Sequence, residues 1–131
     1  MRVGVFGGSF NPPHIGHVAA ARQAMELLCL DKLLLIPART APHKQLPEGS
    51  ATPQQRLEML TLAVAGMERA EASPIELYRE GVSYTYETVL QLKKQYPNDE
   101  LVFIMGSDMF LSFDTWKHPE VIVSNASLGV L

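Results

Sequence analysis

Cysteine, charge and long apolar runs are scarce in this sequence of 131 residues, and each scarcity excludes a class of protein. The single cysteine, Cys29, excludes an internal disulfide and a zinc site built from thiolates. Its place in the apolar run Leu27 to Leu30 predicts a buried structural thiol. No apolar stretch approaches the roughly 20 residues of a membrane helix. Met1 to Gly4 does not resemble a signal peptide, so we expect a cytoplasmic location.

Charged residues make up 19% of the chain, and the net charge is −3 without any basic block. This balance predicts that the protein has no broad nucleic-acid footprint. Hydrophobic residues make up 47%, which is ample for a core. We therefore expect one globular domain over residues 1–131.

Apolar runs alternate along the chain with segments of helical periodicity. Strands are predicted at 2–6, 33–37, 73–78 and 101–105, with a fifth strand starting at 127–131. Helices are predicted over about 14–29, from Thr52-Pro53 onwards, and over 85–95. Strands that are apolar throughout are typical of a parallel sheet covered on both faces. The expected fold is therefore α/β, a Rossmann-like doubly wound parallel sheet with helices on both faces.

The periodicity also predicts which side of each helix is buried. The residues expected to face the core are Ile15, Val18, Met25 and Leu28 in the first helix, Leu57, Leu60, Val64 and Met67 in the second, and Val89 and Leu92 in the third. The Met and Phe residues at 105, 109, 110 and 113 are also expected to pack.

Three segments of unusual composition follow predicted strands, at 7–17, 37–44 and 106–116. Ligands of open α/β sheets bind beyond the carboxyl ends of the strands. The coincidence of the three segments predicts a site at that edge of the sheet.

The first segment, GGSFNPPHIGH, differs from both common nucleotide-binding loops. The glycine pair lacks the third glycine of the dinucleotide fingerprint, and Gly16 is followed by His17 rather than the lysine of a Walker loop. Small residues before a helix N-terminus still favour a bound anion. From the glycines alone, a tight turn without a ligand remains an equal alternative.

Two histidines in the same segment, His14 and His17, are three residues apart and so share one side of the first helical turn. The pattern predicts donors to phosphate oxygens. Zinc ligation is the alternative, although no acidic residue or thiol lies beside them at helical spacing. His43, beside Lys44, and His118, before Pro119 in an exposed loop, are left out of the predicted site.

Four motifs together resemble a known enzyme family. GSFNPPHIGH is similar to the (H/T)-x-G-H signature of the nucleotidyltransferase superfamily, which several sister enzymes share. PARTAPHK (37–44), SYTYET (83–88) and GSDMFLSFDTW (106–116) resemble, in order and spacing, the bacterial nicotinate-nucleotide adenylyltransferases. The resemblance runs over essentially the whole chain.

The resemblance implies transfer of AMP from ATP to nicotinate mononucleotide, with Mg²⁺ on the ATP phosphates. It implies that the ATP site is lined by Gly8, Ser9, Phe10, His14, His17, Gly106 and Asp108. His14 and His17 would hold phosphates, and His17 would stabilise charge on the transferring α-phosphate. Asp108 would bind ribose hydroxyls, with a helix N-cap as its alternative role.

Four further residues are implied on the acceptor side. Lys44 would lie near the mononucleotide phosphate, with Arg39 in the same loop, unless Lys44 is a solvated loop lysine. Thr85 would present its backbone to the nicotinate carboxylate, and it could also serve as a helix N-cap. Trp116 would stack on the pyridine ring, with core packing as its alternative.

The superfamily's C-terminal motif I-S-S-T-x-x-R, by contrast, has no match, and no arginine follows Arg79. We expect a domain that is incomplete at its C-terminus rather than a degenerate copy. Such a chain should bind ATP weakly and turn over poorly. Its unfinished sheet would expose an edge that favours association into a homo-oligomer. The alternative functions are a phosphopantetheine adenylyltransferase-like enzyme and a catalytically silent nucleotide-binding module.

Overall fold

The computed structural model describes residues 1–40 and 46–131, in which strands and helices alternate. The strands are β1 (Arg2–Gly8), β2 (Lys32–Pro37), β3 (Ala70–Ala72), β4 (Glu100–Met105) and β5 (Ser127–Val130). The helices are α1 (Ile15–Leu27), α2 (Pro53–Ala63), α3 (Thr85–Gln95), α4 (Ser107–Leu111) and α5 (Pro119–Asn125), with a 3₁₀ turn at Phe113–Thr115. None of these helices is long and apolar enough to cross a bilayer.

All five strands are parallel and lie in the order β3-β2-β1-β4-β5. The chain builds outward from β1 through β2 to β3, and then returns to the other side of β1 to add β4 and β5. The strand order therefore reverses between β1 and β4. In sheets of this kind the crevice at the reversal, beyond the carboxyl ends of the strands, is where ligands bind.

Both faces of the sheet are covered because successive side chains of each strand point to opposite sides. On one face Leu33 and Leu35 of β2 pack with α1 and α2. On the other face Leu34 and Ile36 pack with Leu92 of α3. This arrangement confirms the predicted doubly wound sheet.

The third strand lies earlier than predicted, at Ala70–Ala72 rather than 73–78. The backbone N–H of Ser73 still donates to the carbonyl of Leu35, at 2.8 Å. Pro74 has no N–H to donate, so the ladder cannot continue through it. The chain then turns, and the N–H of Leu77 donates to the carbonyl of Pro74 at 2.8 Å.

The predicted buried face of α1 was wrong at its start. Ile15 is 86% exposed, and the fully buried residues of the helix are Ala21 and Ala24. Alanines allow the helix axis to approach β1 and β2 closely, so the larger apolar side chains lie at the margin of the contact. In the later helices the prediction held for Leu60, Val64, Val89 and Leu92, all of which are buried.

Cys29 is exposed, which corrects the prediction of a buried thiol. Helix α1 ends at Leu27, and Cys29 has a positive φ of 51° in the connection to β2. This left-handed residue reverses the chain direction, so Leu30 rather than Cys29 enters the core at 3% exposure.

Candidate active site

Two cavities lie side by side where β1 ends, and they share Gly7, Gly8, Ser9 and Met109 in their walls. One, of about 290 Å³, is named here the histidine cavity because His14 and His17 line it. The other, of about 350 Å³, is named the tryptophan cavity because Trp116 lines it. The two cavities are therefore neighbours at the expected edge of the sheet.

The side chains of His14 and His17 both cap the start of helix α1. The Nδ1 atom of His14 accepts from the backbone N–H of Gly16 at 3.0 Å, and the Nδ1 atom of His17 accepts from the backbone N–H of His14 at 3.0 Å. His14 is the N-cap residue, and Ile15 is the first residue of the helix. The two histidines thus fill the places that Ser or Thr and Glu commonly take in a capping box.

This capping fixes the tautomer of each neutral ring. A neutral imidazole whose Nδ1 accepts a hydrogen bond carries its proton on Nε2. Both rings are therefore donors at Nε2 without needing to be charged. The first turn of α1 contains no acidic residue, so the positive end of the helix dipole adds to the attraction for an anion.

The two rings are also held by packing. They stack on each other with centroids 3.8 Å apart, and the ring of Phe10 meets His17 edge-on at 4.9 Å. Phe10 is 3% exposed and has a positive φ of 49°, a conformation that costs a non-glycine residue about 1 kcal/mol or more. Its buried ring, which also contacts Phe6, holds that turn in place.

The tryptophan cavity brings the start of α3 opposite the segment after α4. Thr85, the first residue of α3, and Trp116 both line it. The indole ring of Trp116 rests edge-on against Phe103 of β4 at 5.9 Å and beside Phe113 at 5.2 Å. The sheet therefore backs one side of Trp116, while the ring still borders the cavity.

A buried carboxyl, Glu76, lies in the wall of the same cavity. Its Oε2 accepts from the Thr88 hydroxyl at 2.7 Å, and the Thr88 hydroxyl accepts from Nη2 of Arg79 at 2.7 Å. Burial raises the pKa of Glu76 to about 7, although the Thr88 hydrogen bond and the Arg79 charge oppose the rise. The site therefore contains a carboxyl that is partly protonated at neutral pH.

A buried guanidinium, Arg56 of α2, ties together the segments that follow β1 and β2. Its Nη1 donates to the carbonyl of Ser9, and its Nη2 lies 3.5 Å from the carbonyl of Arg39. The side chain is 1% exposed, and burial lowers its pKa from the ordinary value, although arginine remains charged in proteins. Its position depends on the firm start of α2, where Thr52 and Gln55 form a capping box.

The cytidylyltransferase-like family model matches residues 5–131. This chain belongs to the cytidylyltransferase-like family. A relative named "Probable nicotinate-nucleotide adenylyltransferase", from Thermus thermophilus, is 46% identical over 128 residues, covering 98% of this chain and 67% of that protein. A protein of the same name from Geobacillus kaustophilus is 43% identical over 122 residues, covering 93% of this chain and 56% of that protein.

A solved structure agrees with the fold expected of a cytidylyltransferase-like protein. The Plasmodium falciparum nicotinic acid mononucleotide adenylyltransferase complexed with NaAD gives a TM-score of 0.80 at 20% identity, covering 98% of this chain and 63% of that chain. At that identity the likeness concerns the architecture alone. The chain spans between about half and two thirds of the length of these three proteins.

Within this cytidylyltransferase-like fold, most residues predicted for the site lie together. Gly8, Ser9, Phe10, His14 and His17 line the histidine cavity, and Thr85 and Trp116 line the tryptophan cavity. Gly8 and Ser9 also border the tryptophan cavity, so they form the junction between the two halves. Lys44 and His43 lie outside the described residues.

Three predicted site residues line neither cavity. Arg39 is exposed, and its side chain donates to the backbone carbonyl of Arg79 at 3.2 Å. Gly106 and Asp108 are exposed at the start of α4, where Gly106 rather than Asp108 is the N-cap residue. Similarly Tyr84, not Thr85, is the N-cap residue of α3.

Sequence reasoning missed Arg56, Glu76, Thr88 and Met109. Met109 was expected to pack in the core, but it is 40% exposed and borders both cavities. Phe110 was also expected to pack and is 47% exposed. The one available signal was the charge of Arg56 among the apolar positions of an otherwise regular helix.

Proposed function

We propose that this chain carries the adenylyl-transfer site of a nicotinate-nucleotide adenylyltransferase, which joins ATP and nicotinate mononucleotide into the dinucleotide and releases pyrophosphate. The observation that carries the proposal is the pair of cavities joined at Gly8 and Ser9. One has a helix N-terminus and two imidazoles suited to phosphates, and the other has a tryptophan suited to a flat ring. The names of the relatives agree with this assignment.

The reaction needs positioning more than covalent chemistry from the protein. A phosphate oxygen of nicotinate mononucleotide attacks the α-phosphorus of ATP in line with the leaving group. The new P–O bond forms as the bond to the bridging oxygen of pyrophosphate breaks, and pyrophosphate leaves with that electron pair. In this proposal the phosphorus lies where the two cavities meet, at Gly8 and Ser9, because small residues allow close approach.

In this proposal the histidines stabilise the charge that builds on the phosphates. When neutral, each ring carries its proton on Nε2, and the Nδ1 hydrogen bond sets the orientation of that N–H. Donors that are already oriented need no rearrangement during the reaction. Removing one such donor typically lowers the rate by about 10²–10³-fold. His17 is assigned to the α-phosphate and His14 to the outer phosphates.

Mg²⁺ belongs to the substrate in this scheme. The described residues contain no cluster of three or more His, Cys, Asp or Glu side chains that could hold a metal ion by themselves. Mg²⁺ commonly binds substrate phosphates and keeps several waters. We propose that it arrives on ATP and neutralises part of the phosphate charge.

The acceptor is assigned to the tryptophan cavity. Thr85 opens α3 and so presents backbone N–H groups of a helix N-terminus, which suit the nicotinate carboxylate. Trp116 would stack on the pyridine ring. The roles of Lys44 and Arg39 at the mononucleotide phosphate, of Gly106 and Asp108 near ribose, and self-association through the edge of β5 stay predictions.

The test follows pyrophosphate release with ATP and one acceptor at a time. Nicotinate mononucleotide, its nicotinamide counterpart and phosphopantetheine are compared, with chromatography to identify the product. Release that depends on nicotinate mononucleotide, with formation of the dinucleotide, is the expected result. Turnover of phosphopantetheine would contradict the proposal. Nucleotide binding without any turnover, even in a chain extended to the full length of its relatives, would favour a silent binding module.

A further inference from the structure

Two aromatic contacts join the start of α3 to the segment after Trp116. Lys117 places its Nζ over the ring of Tyr84, 4.6 Å from the centroid. The His118 ring meets Tyr86 edge-on, with centroids 4.8 Å apart. Tyr84 and Tyr86 are the two neighbours of Thr85, while Lys117 and His118 directly follow Trp116. Both contacts therefore connect the same two walls of the tryptophan cavity.

We propose that Tyr84 and Tyr86 are positioning residues that hold Thr85 at a set distance from Trp116 and so determine the width of the slot for a planar ring. This inference rests on the proposed function, since it assumes that a pyridine ring occupies the tryptophan cavity. The two tyrosines themselves need not touch the ligand.

The backbone at the start of α3 has anchors besides these contacts: the Ser83 N–H donates to the Thr40 carbonyl at 2.8 Å, and the Tyr84 carbonyl accepts from Nη2 of Arg79 at 3.3 Å. Trp116 packs against Phe103 of β4 in the sheet, and this contact restrains the wall of the cavity that contains Trp116. Thr85 begins a helix whose N-cap residue, Tyr84, makes no side-chain capping bond. Contacts from Tyr84 and Tyr86 to the opposite wall supply a restraint that the missing cap does not.

The position of the His118 ring against Tyr86 is itself fixed by further interactions. His118 has a left-handed backbone with φ of 52°, and its Nδ1 lies 3.2 Å from the Glu120 carboxylate, which holds the ring toward α3. Lys117 and His118 are both exposed, whereas the two tyrosines are partly buried. Changing Lys117 therefore removes a contact with little cost to the core.

Trp116 is the only tryptophan in the chain, so its fluorescence reports directly on this cavity. The experiment titrates the 131-residue chain with nicotinate mononucleotide and, separately, with ATP, and takes Kd from each curve. Tyr84→Leu and Tyr86→Leu are each expected to raise Kd for nicotinate mononucleotide about threefold, and the double variant about tenfold. Kd for ATP, which uses the histidine cavity, is expected to stay unchanged.

Conservative and matched variants separate positioning from general destabilisation. Tyr84→Phe and Tyr86→Phe keep the rings and should restore the original Kd. Lys117→Met should act like Tyr84→Leu without touching α3. Lys32→Met is the matched control, because Lys32 makes a similar contact with Tyr96 at 5.6 Å but starts β2, at the opposite end of the sheet.

Three outcomes would overturn the inference, each distinguishable from failure of the proposed function. They are unchanged Kd in both leucine variants, equal weakening of both ligands, and Lys32→Met acting as strongly as Lys117→Met. If the unaltered chain itself shows no saturable response to nicotinate mononucleotide while binding ATP, the assignment of the acceptor fails instead, and the positioning role falls with it.

Discussion

At the N-terminus of α1, two histidines cap the helix, a role that shorter polar side chains commonly have. The Nδ1 atoms cap the helix, and the same hydrogen bonds leave each neutral ring as a donor at Nε2. Capping and the proposed phosphate binding would therefore use opposite sides of the same rings. A substitution at either position should affect both stability and rate, and the two effects can be separated.

His17→Ala should reduce turnover by about 10²–10³-fold because it removes the donor proposed for the transferring phosphate. It should also lower the free energy of unfolding by about 1 kcal/mol, since His17 accepts the backbone N–H of His14. His17→Gln is the matched control, because glutamine at this position keeps the capping bond without the ring. We expect Gln to restore stability but not rate, as measured by urea unfolding and pyrophosphate release; full activity in either variant would remove His17 from catalysis.

The raised pKa of Glu76 predicts that the free energy of unfolding depends on pH. Its pKa rises from 4.5 to about 7 on folding, so ionisation of this carboxyl opposes the folded state. Its contribution is therefore most favourable below pH 4.5 and is lost as the pH rises through 7. Between pH 4.5 and a pH above 7, the free energy of unfolding should fall by about 3 kcal/mol on account of Glu76, since each pKa unit corresponds to about 1.4 kcal/mol.

Glu76→Gln, which stays neutral, should remove that dependence. The difference in unfolding free energy between the variant and the unaltered chain should grow in favour of the variant from pH 5 to pH 8. Urea titrations followed by Trp116 fluorescence measure it. Glu80→Gln, on the exposed surface, is the control and should show no such trend; a difference at Glu76 that is constant with pH would contradict the account.

Among the elements, α2 shows how a helix outside the two cavities supports them. Arg56 reaches from its buried face to the carbonyls of Ser9 and Arg39, and so restrains the segments that follow β1 and β2. Arg56→Met should leave both carbonyls without this donor and lower the free energy of unfolding by about 1–3 kcal/mol. Because Ser9 borders both cavities, the affinities for ATP and nicotinate mononucleotide should fall together.

Arg56→Lys provides the comparison for this element. A lysine keeps the charge but lacks the fork that reaches two carbonyls at once. It should therefore recover only part of the stability and affinity in urea titrations and fluorescence titrations. Recovery to the level of the unaltered chain would show that charge alone, rather than the geometry of the fork, holds the two segments.

The helices and strands were predictable wherever local pattern decides them. Continuous apolar runs identified β1, β2 and β4, and the Thr52-Pro53 pair identified the start of α2. The local sequence pattern gave wrong predictions where tertiary contacts determine the structure. The place of β3 depends on its pairing with β2, and the side on which Ile15 lies depends on how closely α1 approaches the sheet.

At the scale of the whole molecule, the order of strands explains why motifs far apart in sequence meet. The reversal between β1 and β4 opens a crevice into which the segments after β1 and β4 both project. The sequence pattern predicted that the segments after β1 and β4 meet at this edge, whereas the shared ring-binding role of Thr85 and Trp116 was implied only by the family resemblance. It did not predict Glu76 or Met109 as cavity residues. The burial of a single carboxyl and the direction of a single methionine side chain depend on tertiary packing, and neither produces a repeating pattern in the sequence.

The most direct test of two joined cavities uses the dinucleotide product as a single probe. Binding of nicotinate adenine dinucleotide is followed through Trp116 fluorescence and by competition with ATP and with nicotinate mononucleotide separately. The account predicts one dinucleotide per chain that displaces both ligands, since one molecule fills both cavities. A dinucleotide that displaces only one of them, or that binds together with ATP, would contradict it.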